Sequence, residues 1–479
     1  MKAINVRVVA GLLLVAALTR LLFSGGSAED SRSVPADRQE VVFWHFWGGK
    51  HREIVDDIVA RFNASQNEHF VRAIAMPGQN LDLKFFLSVA GGDPPDLLNQ
   101  DDPVIGDWAA RGAIVPLDEI AKPDEVAQLQ SWLFPSARRL GTYDGRLFAL
   151  CNGLDIRALY YNLDMLQDAG FDGPPQSLEE LDRMARTIAP PTLRGQRDHV
   201  GYLPDPRRLW AWGIVFGGRF YDEQTGEVLV DSDEVVRALE WMQSYARDYG
   251  AEQVSAFRKG DQALAGAAFP LLQGRYAMLM DGQWRVEEME KAAEAARASG
   301  EVPMNWGVIP LPPPEDGLSE AGWVNGNFFV VPRGGKNPEG AWAFMKFWSG
   351  FGGFETDAAQ TAASGGWIPA SQQVVDQPEF RAYLAKYPEF SAFVELAASP
   401  NQVPRPVIPG AAFFDTEITQ AAEAALYRPD APPARELLQQ AARRIRARLS
   451  SLQDRYGIAK PAAMNHTGTS LPATAPSER

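Results

Sequence analysis

An α/β fold with a parallel sheet is predicted from three observations. An apolar-aromatic run opens the folded region, helix-spaced apolar residues follow it, and the two patterns then alternate. Val41–Trp47 (VVFWHFW) is uninterrupted and reads as a buried parallel strand running into a loop, broken by Gly48-Gly49-Lys50. His51–Gln66 places Ile54, Val55, Ile58, Val59 and Phe62 at helical spacing. Val71–Met76 is a second strand, Leu81–Ala90 a helix, and Asp96–Leu98 a short third strand after the Gly91–Pro95 turn.

The pattern continues less regularly. Thr142–Arg146 reads as a turn, with strands at Leu147–Leu150 and Ala158–Tyr161. Ser177–Ile188 is an amphipathic helix in which Ser177 caps and Glu180 completes a capping box. Tyr221–Val230 reads as a small hairpin around Thr225-Gly226, and helices follow at Ser232–Tyr249 and Gln283–Ala298. Trp306–Pro310 and Phe328–Val331 are strands, and Pro338–Trp348 is a helix whose Trp342, Phe344 and Trp348 recur at core spacing. The C-terminal third is mostly helical and ends in the basic helix Ala434–Tyr456; residues 459–479 are rich in Pro, Ser, Thr and Ala and are expected to be disordered.

The chain has 479 residues, roughly three domain-sized units. Basic residues number 46 and acidic ones 61, a net charge of −15 that argues against a nucleic-acid partner. The single cysteine, Cys151, rules out an internal disulfide framework, and the five histidines show no metal spacing, so neither metal nor cofactor is expected. The aromatic load is high: 13 Trp, 12 Tyr and 25 Phe. Composition alone does not divide those rings between core and site.

At the N-terminus Lys2 and Arg7 precede the apolar run Val8–Leu18, and Gly26-Ser27-Ala28 offers small residues at a cleavage-site spacing. Residues 1–28 are therefore read as a signal peptide or N-terminal anchor, and 29–39 as a linker. The run is short against the ~20 residues of a spanning helix, although Leu21–Phe23 could extend it if Arg20 snorkels. No cysteine follows the small residues, so a lipoprotein tether is not expected.

No GxSxG, P-loop or GxGxxG pattern is present, and Gly91-Gly92, Gly217-Gly218 and Gly352-Gly353 lack the required context. Asp101 and Asp102 are paired carboxylates that could serve glycoside hydrolysis, but adjacent acids on a loop more often cap or face solvent. Cys151 lies in an apolar run and reads as an inert buried thiol. No catalytic residue is assigned, and a binder is favoured.

Several segments, taken together, resemble the bacterial extracellular solute-binding proteins of ABC importers, in particular the sugar-binding, maltose-binding-protein-like group. They are VVFWHFWGG with Arg61-Phe62-Asn63, then Ala90–Leu98 (AGGDPPDLL), Tyr143–Leu150 (YDGRLFAL) and Leu159–Leu166 (LYYNLDML). Gly217–Tyr221, Ala277-Met278 with Gly282-Gln283-Trp284, and Lys336–Trp342 complete the set, which spans Glu40 to Tyr456. The resemblance implies a periplasmic-binding-protein-like type II fold, two α/β lobes with a hinge and an interlobe ligand cleft. Lobe 1 would comprise 40–150 plus 307–349, and lobe 2 would comprise 151–306 plus 350–458, with crossings near Ala149–Gly153, Asn305–Val308 and Phe347–Phe354. It further implies a carbohydrate ligand, ABC permease transmembrane subunits as partners, a monomer, and a periplasmic or extracellular location.

Sugars need aromatic faces for their C–H patches and polar groups for their hydroxyls, since an unpartnered buried hydroxyl costs about 1–3 kcal/mol. By resemblance, Trp44, Phe46 and Trp47 fall on a cleft loop, with Trp47 favoured as a contact and Phe43 as core. Asp102 follows the third strand and could equally be a cap. Asp155 stands seven residues before Asn162, the spacing at which maltose-binding relatives carry a ligand acid; a structural salt bridge with Arg157 competes. Asp205-Pro206-Arg207 with Trp210 resembles an acid-Pro-aromatic segment, with Arg207 in place of the ring. Trp284 matches the family's stacking tryptophan and ranks first, against packing at a helix start. Trp323, Asn325 and Asn327 lie on a glycine-broken loop, and Trp367 and Arg405 are lower-ranked candidates.

Two other classes compete. A secreted carbohydrate-active enzyme would use Asp101, Asp155 or Asp205 as acid and base. A sensory or scaffold protein would reuse the same fold. Polyols and glycerol-phosphate esters fall within what the resemblance allows, although the acidic candidates disfavour anionic ligands.

Overall fold

Alternation in the first strand decides which way the sheet faces. Val41, Phe43 and His45 are buried on one face of β1 (Gln39–His45), while Val42 and Trp44 are half-buried on the other. This computed structural model describes residues 34–76, 81–101, 104–191, 198–264 and 269–456. The expected signal segment, residues 29–33 of the linker, the tail at 459–479 and Asp102 lie outside the described residues.

The other strands are β2 (His69–Ala75), β3 (Leu97–Asp101), β4 (Ile114–Val115), β5 (Thr142–Tyr143), β6 (Arg146–Leu147), β7 (Ala149–Asn162), β8 (Met278–Gly282), β9 (Trp306–Ile309), β10 (Gly322–Pro332) and β11 (Gln402–Val403). The main sheet runs β2-β1-β3-β10-β7-β8, with β4 and β11 on β10 and β9 on β7. β1 pairs parallel with β2 and β3, as the opening alternation predicts, but β10 is antiparallel to β3 and β7 is antiparallel to β10, β8 and β9. The sheet is therefore mixed.

The two strands expected at Leu147–Leu150 and Ala158–Tyr161 are largely one strand of 14 residues, β7. Asn152, Gly153, Asp155 and Arg157 interrupt its apolar pattern without ending the strand, although its pairing with β10 shifts register at Asn152. Ala149–Ile156 pairs with β10, and Arg157–Asn162 pairs with β8 and β9. Gly153 eases the approach of Trp367, since a β-carbon there would come within 3.3 Å of that side chain. The partner change falls between Ile156 and Arg157. β9 sits beside the far half of β7, so a lobe limit at 307 would divide that strand.

Local signals shift by small amounts. The Ser177 hydroxyl accepts from Glu180 N, but Glu180 Oε2 accepts from Gln176 N rather than from the cap residue itself. The hairpin expected at Tyr221–Val230 reduces to a single bridge between Tyr221 and Val228. The helix expected at Gln283 begins at Arg285, which leaves Trp284 ahead of its first turn.

On one side of β1 the rings of Phe43, Phe329, Phe344 and Trp348 meet edge to face, with Phe43 5.5 Å from Phe344 and Phe329 5.1 Å from Trp348. Such pairs contribute about 0.5–1.5 kcal/mol each beyond area burial. His45 is 1% exposed beside them, and its Nδ1 is buried without a hydrogen-bond partner among the described residues. Burial, and then the nearby Arg52 cation, brings its pKa down from 6.5 to about 4.

The folded state thus holds His45 neutral while the unfolded chain protonates it below 6.5. The stabilisation is complete above that pH and is lost as pH falls toward 4, by up to about 3 kcal/mol. Thermal unfolding of the wild type is expected to fall more steeply than that of His45→Gln across this window. Parallel profiles would show that protonation of His45 does not couple to folding.

Candidate ligand site

The point at which β7 changes partner is also where its charged residues lie. Asp155 and Arg157, two apart, share one face of the strand. Gln283 fastens this point: its amide donates to Leu154 O at 3.2 Å and Asp155 Oδ1 at 2.9 Å, and it accepts from Ile156 N at 3.2 Å. Asp155 therefore takes an amide donor, and no ion pair joins it to Arg157.

Arg157 is 8% exposed, and its Nε and Nη1 are buried without a hydrogen-bond partner among the described residues. Its guanidinium lies over two indoles, 4.9 Å from the Trp284 ring centroid and 4.6 Å from that of Trp323. Arg405 and Arg208 approach the same Trp323 ring at 4.1 and 5.7 Å. Burial, then Arg208, lowers the Arg157 pKa to about 10, with Asp155 and Asp281 opposing and Arg405 adding to the fall. It remains a cation at neutral pH.

Trp284 supplies the open side. It is 39% exposed, and a β-carbon at Gly282 would stand 2.3 Å from its ring, so the indole lies across that glycine. Trp323 is buried on β10, and its Nε1 has no partner among the described residues. Asn325 pairs with Asp155 across the sheet, and its Oδ1 is buried without a partner among the described residues.

The remaining candidates support this cluster or lie elsewhere. Arg405 donates to Asp415 Oδ1 at 2.9 Å, as does Trp210 Nε1. The Trp210 ring is buried, 4.1 Å from Phe220 and 5.7 Å from Phe414. Trp210 therefore holds Asp415 in place. Asp205 accepts from Arg207 N at 2.9 Å and pairs with its guanidinium at 2.6 Å. Burial opposes its ionisation, yet Arg258, Arg207 and Arg208 together hold its pKa below the usual carboxylate range. Asn327 is buried one pleat along β10, opposite Gly153.

Trp47 is buried, stacked on Trp348 at 5.5 Å and 14°, with Trp367 5.6 Å away. Trp44 is half-buried on β1. This second aromatic group meets β7 at Gly153, about 13 Å along the strand from Arg157. The structure thus gathers Asp155, Trp284, Trp323, Asn325 and Arg405, and separates them from Trp44, Trp47 and Trp367. Sequence reasoning did not single out Arg208 or Gln283, and treated Arg157 only as a partner for Asp155. The available signal was a cation followed directly by the apolar run Ala158–Tyr161 within a strand-like stretch.

A buried cation without a hydrogen-bonded counterion opposes folding, and an apolar isostere is often neutral or more stable. Arg157→Met is expected to raise the unfolding temperature of the ligand-free protein, corresponding to about 1–3 kcal/mol. A fall of that size would identify Arg157 as a structural ion-pair member. Differential scanning calorimetry reads either result.

Among the described residues, no group of His, Cys, Asp and Glu side chains converges as a metal site, and no helix is long and apolar enough to cross a membrane. Residues 57–391 match the model of a family described as bacterial extracellular solute-binding protein. The chain is similar to a maltotriose-binding protein of Pyrococcus abyssi, 23% identical over 350 residues that cover 71% of this chain and 69% of that one. A solved structure of CpMnBP1 with mannotriose bound superposes with a TM-score of 0.67 at 25% identity, covering 85% of this chain and 99% of that one. The sugar-binding protein MalE of Xanthomonas citri has the same fold, with a TM-score of 0.71 at 18% identity, covering 88% of this chain and 100% of that one. The chain belongs to the bacterial extracellular solute-binding proteins, and its fold is the periplasmic-binding-protein-like fold of that family.

Proposed function

We propose that this chain is the extracytoplasmic substrate-binding component of an ABC importer, and that it holds a carbohydrate where β7 changes partner and delivers it to a membrane permease. The observation that carries this reading is the half-open Trp284 indole set against the buried, unsatisfied donors of Arg157. A ring face covers sugar C–H groups and guanidinium N–H groups bond to its oxygens. The relatives named for maltotriose and mannotriose binding support an oligosaccharide.

The two lobes would be divided at the Ile156–Arg157 partner change, with β1 to β3 on one side and β8 with β9 on the other. This modifies a division of 40–150 plus 307–349 against 151–306 plus 350–458. Closure about that point would bring ligand-bearing lobes together in a form a permease recognises. The protein would act as an exported monomer, free or held by its N-terminal segment, with no nucleic-acid partner.

A binding role is favoured over catalysis because Asp155 and Asp205 are engaged by Gln283 and Arg207. Calorimetric titration with maltotriose and mannotriose tests the reading. Trp284→Ala is expected to weaken binding about tenfold or more while moving the unfolding temperature by only about a few degrees. Unchanged affinity removes Trp284 from the site. Release of reducing ends from either sugar, abolished by Asp155→Asn or Asp205→Asn, would replace the binder with an enzyme.

A further inference from the structure

We propose that the ligand presents an anionic group, a carboxylate or a phosphate ester, to Arg157 and Arg208; this rests on the carbohydrate-binding reading and narrows it to acidic sugars. Three guanidinium groups converge on one indole, with Arg405, Arg157 and Arg208 centred 4.1, 4.6 and 5.7 Å from the Trp323 ring. Arg157 is nine-tenths buried, and the Nε atoms of both Arg157 and Arg208 are buried without a hydrogen-bond partner among the described residues.

Asp155, Asp205 and Asp281 lie near enough to act on Arg157 and Arg208 through space, but among the described residues none is hydrogen-bonded to either guanidinium, and Asp205 is engaged by Arg207. Asp155 accepts from Gln283, Asp281 accepts from Arg285 at 2.9 Å and from Gly282 N at 2.8 Å, and Asp415 accepts from Arg405 and Trp210. A guanidinium does not shed its proton in a protein, so its charge must be met by a partner. A neutral hydroxyl takes one N–H bond and leaves that charge in place. Two oxygens of a carboxylate or phosphate match the planar fork and neutralise it as well. Trp284, half-open with its ring centroid 4.9 Å from the Arg157 guanidinium, is placed to cover the sugar ring that carries the group. The expectation from sequence that acidic residues disfavour an anion is thereby reversed for Asp155 and Asp205, which are already engaged by Gln283 and Arg207.

Titration calorimetry of the full chain at fixed ionic strength tests the proposal. The probes are trigalacturonate against its methyl ester, and glucose 6-phosphate against glucose, with maltotriose and inorganic phosphate alongside. At least one anionic sugar is expected to bind tenfold or more tightly than its neutral counterpart, and which one does so identifies the group. Arg157→Met is expected to abolish that preference, while Arg157→Lys retains part of it; Arg208→Met serves if Arg157→Met does not fold. Equal or tighter binding of the neutral sugars, or equal loss for both in Arg157→Met, overturns the proposal and leaves the carbohydrate reading standing. Binding of inorganic phosphate without any sugar supports the anionic subsite and overturns the carbohydrate reading. Binding of no probe overturns both.

Discussion

The architecture depends on β7 keeping its hydrogen bonds while exchanging its partner. Ala149–Ile156 pairs with β10 across one register shift at Asn152, with Leu154 N donating to Ile368 O, and Arg157–Asn162 pairs with β8 and β9. An orphaned backbone group here would be costly, since the strand is almost entirely buried. The side chain of Gln283 supplies three contacts at the change itself. That fastening fixes where the next residue, Trp284, begins. Gly282 then lets the indole fold back over the strand end. The position of the ring therefore follows from backbone satisfaction rather than from packing of the ring alone.

Electrostatics at this point runs against stability. The site keeps a cation in low-dielectric surroundings, held by indole faces and, at Nε and Nη1, by no acceptor among the described residues. Proteins tolerate such an arrangement where a bound group completes it. The supporting contacts agree with that view, since Trp210 and Arg405 share Asp415, and Asp205 is held ionised among arginines. Asp415 and Asp205 each restrain an arginine or a ring, and among the described residues neither bonds to Arg157.

The opening of the fold was legible because β1 to β3 and the helix at Leu81–Ala90 obey simple periodicities. β7 was less so: Gly153, Asp155 and Arg157 read as a break, and only pairing with residues from β8 to β10 shows that the strand continues. The same cause limited the site. Gln283 is 128 residues from Asp155, so its hold on the strand has no local signature. Trp47 and Trp210 look alike in sequence to Trp284, yet distant rings (Trp348 and Trp367 for one, Phe220 and Phe414 for the other) bury them. What remained visible was residue type: tryptophans beside glycines, and a cation directly before an apolar run.

The central claim is that ligand oxygens complete Arg157 at the β7 partner change. A crystal structure with the tightest-binding sugar bound tests it most directly. The account predicts the sugar against the Trp284 ring, with an oxygen at hydrogen-bond distance, about 2.7–3.2 Å, from Arg157 Nε or Nη1. A sugar bound elsewhere with Arg157 untouched would contradict it, for instance in the cavity lined by Ala127, Gln128, Ser131, Trp132 and Gln373.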